Sequence, residues 1–452
     1  MVPAVKNPAT TGVLILTHAA VKRKPLQVPT GTDSRPAAGS GGTPLGIVTK
    51  NSSPCFYGHN PDTGEAIPIE TKSNGKLSLV KRPEAARAER WALKAVVNQI
   101  LKVPATEKQH RTTKCMIMRQ PIAGFGLAPI QVHKTANHGK AFYTGLMACG
   151  SIWNCPVCAS KVSERRREEL KTALESARRI GWKIHFVTLT VPHGIGDDLS
   201  KMKELQQKAL TKLSSGKNSI KSQLSRAGID QYGYIRAYEV THGKQNGFHP
   251  HFHILLFTSP NVTHQVIEGY YKNAWQNACV RVGLPRPSDE HGCTVQDGTY
   301  AAEYASKWGI EDEMTKANTK LTKRKGKTPF GLLKAVLEET DPDYPPEYAA
   351  RLFKVYSKCM TGARQLHWSV GLRAKLALAP EMTDEQLAEQ ITDETARHLA
   401  TITLEQWKAI SKAGAQAHIL TVAESLTEGT YHILFEIMNG SLPTSRRPPK
   451  PF

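Results

Sequence analysis

The sequence has no long run of apolar residues. None approaches the ~18 to 20 consecutive apolar residues of a membrane-spanning helix. The N-terminal run VLIL is also too short for the core of a signal peptide. We therefore expect a soluble, cytoplasmic protein with no membrane partner. The sequence also contains no internal repeat.

Acidic residues are scarce relative to basic ones. The 452 residues include 60 Lys and Arg against 39 Asp and Glu, a formal net charge of +21. Such an excess favours a polyanionic partner, either nucleic acid or an acidic membrane surface. Because no membrane segment is expected, nucleic acid is the leading candidate. The length allows two or three domains with a sizeable core.

The cysteines are few and unevenly placed. Without a secretion signal, a framework of disulfides among the eight is not expected. Three of them lie in CGSIWNCPVC, and their spacing is that of a zinc knuckle. The first choice for a fourth ligand is Cys115 and the second is His138, while free core cysteines are the alternative interpretation. We predict a structural Zn²⁺ held by Cys149, Cys155, Cys158 and Cys115.

Changes in composition divide the chain into five segments. A mostly disordered or loosely structured arm comes first, with a helix at 83–101, and a Cys-rich segment with its helix follows. That second helix is expected to begin at Ser163 and to end at Gly181. Capping boxes predict helices after Thr383 and Thr403. The segments are the arm (1–110), the zinc-knuckle segment (111–180), a core domain (181–310), a basic extension (311–380) and a helical C-terminal region with a mobile tail (381–452).

The core domain shows the pattern β-α-β-β-α-β-α over residues 184–309. IHFVTLTV is typical of a strand, and YGYIRAYEV and HPHFHILLF are two further strands joined through a turn at Asn246-Gly247. This order of elements predicts an α+β fold, a ferredoxin-like antiparallel sheet with helices on one side.

The strand HPHFHILLF carries histidines at alternate positions. Because alternate side chains of a strand share a face, His249, His251 and His253 lie on one side and the apolar residues between them on the other. If the turn is centred on Gln245, Glu239 lies opposite His251 at ~4.5 to 5.5 Å. A carboxylate beside two imidazoles predicts a divalent metal site formed by Glu239, His251 and His253, whereas the alternative is a strand with surface histidines.

A helix follows the last strand of the core domain. TYAAEYASKWG places Tyr300, Tyr304 and Lys307 on one face of this helix. Tyrosines at this spacing are commonly part of a packed core. A phenol, with a pKa of about 10, becomes a nucleophile at neutral pH only with the help of a cation or a base. A nearby metal ion and a lysine would provide that help.

A basic stretch, KANTKLTKRKGK, comes after this helix and contains no acidic residue. Such a stretch is either a solvated loop or a contact for phosphates. In a chain of net charge +21, directly after the tyrosine helix, we interpret it as DNA-binding. The candidate residues are Lys316, Lys320, Lys323, Arg324 and Lys325.

Three of these motifs also resemble a known family. TLTVPH, HPHFH and YAAEYASK are similar, in this order, to the motifs of the HUH endonucleases, most closely the rolling-circle replication initiators (Rep proteins) of bacterial plasmids. The cysteine segment, RAYEVTHG and GARQLHWSVGLR extend the resemblance over residues 110–375.

The resemblance implies roles for individual residues. His251 and His253 would be the metal pair, with Mg²⁺ or Mn²⁺ as the ion, and Tyr304 would take the 5′ phosphate of nicked DNA. Thr188 and Thr190 belong to the first motif. Some plasmid relatives carry a glutamate four residues before the nucleophile. Tyr300 stands there in this sequence, as in two-tyrosine phage initiators, and Glu303 is not given the glutamate's role.

We therefore expect a bacterial enzyme that nicks and rejoins single-stranded plasmid origin DNA. A host helicase and a polymerase are the implied partners. Two alternatives remain at this point. One is a two-tyrosine transposase with the same site, and the other is a non-catalytic zinc-containing DNA-binding regulator.

Overall fold

A computed structural model describes residues 56–59, 66–71, 77–79, 83–306, 326–389 and 396–440. Most of the expected N-terminal arm and the C-terminal tail therefore lie outside the described residues. The same holds for Lys307 and for the DNA-binding candidates Lys316, Lys320, Lys323, Arg324 and Lys325.

The described residues form thirteen strands in four antiparallel sheets. The strands are β1 (Phe56–His59), β2 (Ala66–Thr71), β3 (Leu77–Leu79), β4 (Pro121–Ile122), β5 (Gly126–Leu127), β6 (Ile130–Lys134), β7 (Ala141–Thr144), β8 (Lys183–Leu189), β9 (Gln231–Gly243), β10 (Gly247–Thr258), β11 (Cys293–Gln296), β12 (Leu366–Trp368) and β13 (Arg397–Ile402).

Helices occupy most of the remaining described chain. In addition to a short 3₁₀ turn (Glu428–Thr430), they are α1 (Pro83–Ile100), α2 (Arg111–Lys114), α3 (Pro156–Arg179), α4 (Leu199–Ser214), α5 (Ile220–Arg226), α6 (His264–Arg281), α7 (Gly298–Ser306), α8 (Pro329–Glu338), α9 (Pro346–Met360), α10 (Leu372–Lys375), α11 (Asp384–Glu389), α12 (Leu404–Ala413), α13 (Gln416–Ser425) and α14 (His432–Asn439). None of the described helices is long and apolar enough to cross a membrane.

The largest sheet contains five strands in the order β11-β8-β10-β9-β12. Every neighbouring pair is antiparallel. Helices α4 and α5 connect β8 to β9, and α6 connects β10 to β11. The predicted α+β class with an antiparallel sheet is therefore confirmed. β12 arrives from much later in the chain and extends the sheet at β9.

Both faces of this sheet are covered by helices. On one face, Phe252 and Ile254 belong to a core that includes residues of α4 and α6. On the other face, Leu255 and Phe257 pack with residues of α3 and α7. The expectation of helices on one side only is therefore wrong. The histidine-bearing face of β10 continues into apolar residues that α3 and α7 bury.

Helix α3 begins earlier than expected. Cys155 is its N-cap and Pro156 occupies the first turn, where a proline is favoured because its missing N–H would have no partner. Ser163 is therefore not the N-cap but a buried residue inside the helix. The end agrees with the prediction, because α3 stops at Arg179 and Gly181 adopts a φ of +79°.

A second group of elements packs beside the main sheet. Helix α1 lies within the segment 1–110 and contributes the buried residues Leu93, Val96 and Val97 to the large core. Strands β13, β6 and β7 form a sheet of their own.

Both predicted capping boxes are present, with reciprocal hydrogen bonds of 2.8 and 3.2 Å at Thr383 and at Thr403.

Candidate functional site

The hairpin of β9 and β10 sets the geometry of the site. Gly243 pairs with Gly247 across the turn, and Glu239 pairs with His251. The predicted register is therefore confirmed. It places Glu239, His251 and His253 on the same face, with one nitrogen or oxygen of each within 4.8 Å of the others.

The imidazoles of His251 and His253 both direct their Nε2 atoms towards the same carboxylate oxygen of Glu239. Nε2 of His251 and Nε2 of His253 each lie 3.6 Å from Oε2 of Glu239. The Nδ1 atom of each ring, on the side away from Glu239, contacts another polar group of the protein. Nδ1–H of His251 donates to the carbonyl of His249 at 3.1 Å, and Nδ1 of His253 lies 3.0 Å from the Thr188 hydroxyl. Such contacts fix the rings of metal-binding histidines.

Electrostatics favour the metal-binding protonation states. Burial acts to raise the pKa of Glu239, but His251, His253 and the Tyr304 hydroxyl together bring it down to about 2. Burial lowers the pKa of His253 to about 4, against the opposing effect of Glu239. At neutral pH the group thus offers an anionic oxygen and a neutral imidazole. This donor set fits a divalent cation with open coordination positions.

Helix α7 brings one tyrosine to this group. Oη of Tyr304 donates a hydrogen bond to Oε1 of Glu239 at 2.5 Å. The phenol ring also packs against Phe186 and His253, with ring centroids 4.8 and 5.0 Å apart. Tyr300, one turn earlier, is 49 % exposed. The core-packing interpretation therefore does not describe Tyr300.

Two further histidines extend the group, and the sequence reasoning missed their contact. Nδ1 of His249 lies 3.2 Å from Nε2 of His193, and the His249 ring lies 4.8 Å from that of His251. Burial, followed by His251 and His193, lowers the pKa of His249 to about 3. The available signal was the position of His193 at the end of TLTVPH, four residues after the last residue of β8.

The four predicted cysteines come together at the start of α3. Cys115 follows α2, Cys149 precedes α3, and Cys155 and Cys158 lie in its first turn. All four are buried, with Sγ atoms within 4.8 Å of one another. His138, the second choice for a ligand, is exposed between β6 and β7.

The geometry of this cysteine cluster fits a metal ion with tetrahedral coordination. Three of its Sγ–Sγ distances are 3.4, 3.7 and 3.8 Å. A tetrahedron with Zn–S bonds of ~2.3 Å has edges of ~3.8 Å. Backbone N–H groups of Cys149 and Ser151 also point at sulfurs, at 3.4 and 3.5 Å. Hydrogen bonds from the neighbouring thiols, and then burial, raise the pKa of Cys115, so a cation is needed to ionise the cluster.

Part of the chain is similar in sequence to a known protein family. Residues 147–278 match a family described as "Replication protein". The match runs from the cysteine cluster into α6 and includes Glu239, His251 and His253, whereas Tyr304 lies beyond it. This similarity supports the interpretation of the chain as a replication protein.

Two of the following three relatives carry names that agree with this class. The chain is 25 % identical over 353 residues to "Protein rep" of Streptomyces lividans, which covers 63 % of this chain and 77 % of the relative. It is 28 % identical over 131 residues to "Protein rep" of Lentilactobacillus hilgardii, covering 27 % and 39 %. A "Neomycin resistance protein" of Streptomyces cyanogenus is 30 % identical over 139 residues, covering 26 % and 32 %. No solved structure matches the chain significantly.

Proposed function

We propose that this protein starts rolling-circle replication of a plasmid by nicking and rejoining single-stranded origin DNA through Tyr304. The observation that carries the proposal is the hydrogen bond from Tyr304 to Glu239, a carboxylate that also faces both His251 and His253. The similarity to replication proteins over residues 147–278 supports the same function. A ferredoxin-like HUH nuclease core would have an antiparallel sheet, and the antiparallel order β11-β8-β10-β9 supports the proposal.

The chemistry is a transfer of a phosphoryl group between oxygens. Held by Glu239, His251 and His253, a Mg²⁺ or Mn²⁺ ion would polarise the scissile phosphate. The Tyr304 oxygen forms the new bond to phosphorus, and the bond from phosphorus to the 3′ oxygen breaks. The phenol proton is balanced by the proton that the released 3′ oxygen takes up. The products are a 5′ phosphotyrosine and a 3′ hydroxyl, from which a polymerase extends.

Other parts of the chain support this reaction. The cysteine cluster holds a structural Zn²⁺. Tyr300 acts as a second nucleophile, and Lys307, three residues after Tyr304 in the sequence, assists the reaction. Phosphates of the DNA are contacted by the basic stretch from Lys316 to Lys325, and a host helicase unwinds the duplex.

A covalent adduct provides the first test. The protein is incubated with a labelled single-stranded origin oligonucleotide and Mn²⁺, and the adduct is separated on a denaturing gel and mapped by peptide mass spectrometry. We expect the label on Tyr304, and we expect Tyr304→Phe to lose it by at least about a hundredfold because no oxygen replaces the phenol. The matched control is Tyr232→Phe, since the Tyr232 ring stacks on Trp182 away from the site.

The alternatives give different results in the same experiment. A DNA-binding regulator would bind the oligonucleotide without forming any adduct. A transposase would form the adduct but require the ends of a mobile element rather than a plasmid origin. An adduct on a residue other than Tyr304 would overturn the proposed mechanism.

A further inference from the structure

An exposed apolar hairpin precedes the cysteine-bearing helix α3. Strands β4 and β5 pair through Pro121 with Leu127 and Ile122 with Gly126. Large apolar side chains are normally covered, and a group of exposed ones commonly marks an interaction site. In this apolar hairpin (residues 117–127) the exposed ones are Ile117, Met118, Ile122, Phe125 and Leu127.

The base of the apolar hairpin is firmly held. The Arg119 guanidinium donates to the carbonyl of Ala128 at 2.7 Å, and the N–H of Gln120 donates to the carbonyl of Gly145 at 2.9 Å. Cys115, a member of the cysteine cluster, lies just before the hairpin in the chain. The cluster therefore anchors the base, and the exposed side chains sit on a fixed support.

The tip presents an aromatic ring. Phe125 is 85 % exposed, and its N–H closes a turn with the carbonyl of Ile122 at 3.0 Å. It lies between Gly124 and Gly126, whose φ values of +76° and +82° suit glycine. A Cβ atom added at either glycine would meet nothing within 4 Å. The described part of the chain leaves the space around this tip open.

The surrounding sequence has only one sign of charge. Residues 108–163 contain seven Lys and Arg and no Asp or Glu. A stretch with this composition attracts a polyanion rather than a typical protein surface. Phosphates alone do not explain an exposed phenyl ring, but a base does, because single-stranded DNA is bound by cations on its backbone and by aromatic rings on its bases. The basic residues are Lys108, Arg111, Lys114, Arg119, Lys134, Lys140 and Lys161.

We propose that Phe125 stacks on an unpaired base of the origin DNA while the exposed Lys108 and Lys114 of this stretch contact the phosphates. The choice of DNA rests on the proposed function. The contact is separate from the nuclease site because α3 lies between them. The hairpin adjoins its first turn, whereas Leu174 and Ala177 near its end pack with Ala301 and Ala305 of α7. The 24 residues of α3 span about 36 Å at ~1.5 Å per residue.

Binding measurements on the full chain test this contact. All proteins carry Tyr304→Phe to prevent covalent capture, and the probe is a fluorescent single-stranded origin oligonucleotide followed by anisotropy. We expect Phe125→Ala and Phe125→Leu to weaken Kd roughly tenfold, because both remove the stacking ring, and Phe125→Trp to retain affinity. The matched control is Phe435→Ala, at another exposed phenylalanine, on α14. It should bind as the Tyr304→Phe parent does.

Equal affinity for the Phe125→Ala protein and its parent would overturn the stacking contact. If that equal affinity is accompanied by a change in sedimentation, the apolar hairpin is a protein-docking surface instead. Failure of the proposed function looks different, because the wild-type protein would then form no covalent adduct on the oligonucleotide, whatever its affinity for it.

Discussion

A single hydroxyl group orients one of the two histidines that face Glu239. Thr188 lies on β8 and contacts Nδ1 of His253 at 3.0 Å, on the side of the ring away from the carboxylate. Partners of this kind hold a metal-binding ring in place, and their loss weakens metal affinity by about 10- to 100-fold.

We therefore expect Thr188→Val to raise the Mn²⁺ concentration needed for half-maximal nicking by about tenfold or more, with little change in melting temperature. A metal titration of the nicking rate measures this effect. Thr211→Val is the matched control, since the Thr211 hydroxyl donates to Gln207 within α4. An unchanged metal requirement in the Thr188 variant would show that His253 is held without this bond.

The residue-scale contacts differ in how far the sequence could predict them. Glu239 opposite His251 was predictable because a short turn joins the two strands and fixes their register. Thr188 beside His253 and His193 beside His249 depend on β8, which lies more than fifty residues earlier in the chain. Local periodicity carries no information about that pairing.

At the scale of elements, the cysteine cluster joins the end of α2 to the start of α3. Its spacing in the sequence predicted three of the sulfurs, and Cys115 joins them in the structure. The start of α3 was placed at Ser163 because a serine before a polar helix is a common N-cap. The structure uses Cys155 and Pro156 instead, since this start puts Cys155 and Cys158 together beside Cys115 and Cys149.

A closed metal site contributes directly to folding free energy. We expect wild-type protein to contain one tightly bound Zn²⁺ and Cys155→Ala to lose it. The variant should melt at least about 5 °C lower, because the loss of a metal site costs several kcal/mol. The measurements are elemental analysis of freshly purified protein and thermal unfolding.

The matched control is Cys279→Ala, which removes a buried sulfur of α6 that is not part of the cluster. It should keep its zinc and lose only the stability of one small buried side chain. Freshly purified wild-type protein without zinc would refute the metal assignment, whatever the melting temperatures.

The faces of the main sheet show the limit of prediction at this scale. The alternation of His249, His251 and His253 indicated a polar face, but Leu255 and Phe257 continue the same face. These two residues are buried by α3, which precedes β8, and by α7, which follows β11. Periodicity within one strand shows that a face is apolar but not which distant helix will cover it.

At the scale of the whole molecule, the chain combines a net charge of +21 with two separate groups for which we propose contacts with DNA. The proposed nuclease group lies beside α7, and the apolar hairpin lies near the first turn of α3. An initiator that remains attached to one 5′ end needs to retain the displaced strand while the replication fork travels around the plasmid. A second contact away from the reacting phosphate would serve this purpose without blocking the site.

The end of the proposed replication cycle also requires a second transfer, because Tyr304 would already be joined to DNA when the fork returns. Side chains at i and i+4 of a helix lie ~5 to 6 Å apart, so we expect Tyr300 to reach the phosphate that Tyr304 would attack. Tyr300 is 49 % exposed and is therefore accessible to solvent. We expect Tyr300→Phe to form the first adduct on a single-stranded origin oligonucleotide at the wild-type rate but to release at least about tenfold less circular product.

Adduct formation and circle release are measured in one time course, with Tyr232→Phe as the control. If Tyr300→Phe releases circles at the wild-type rate, a water molecule or a second subunit completes the reaction and the two-tyrosine mechanism is wrong.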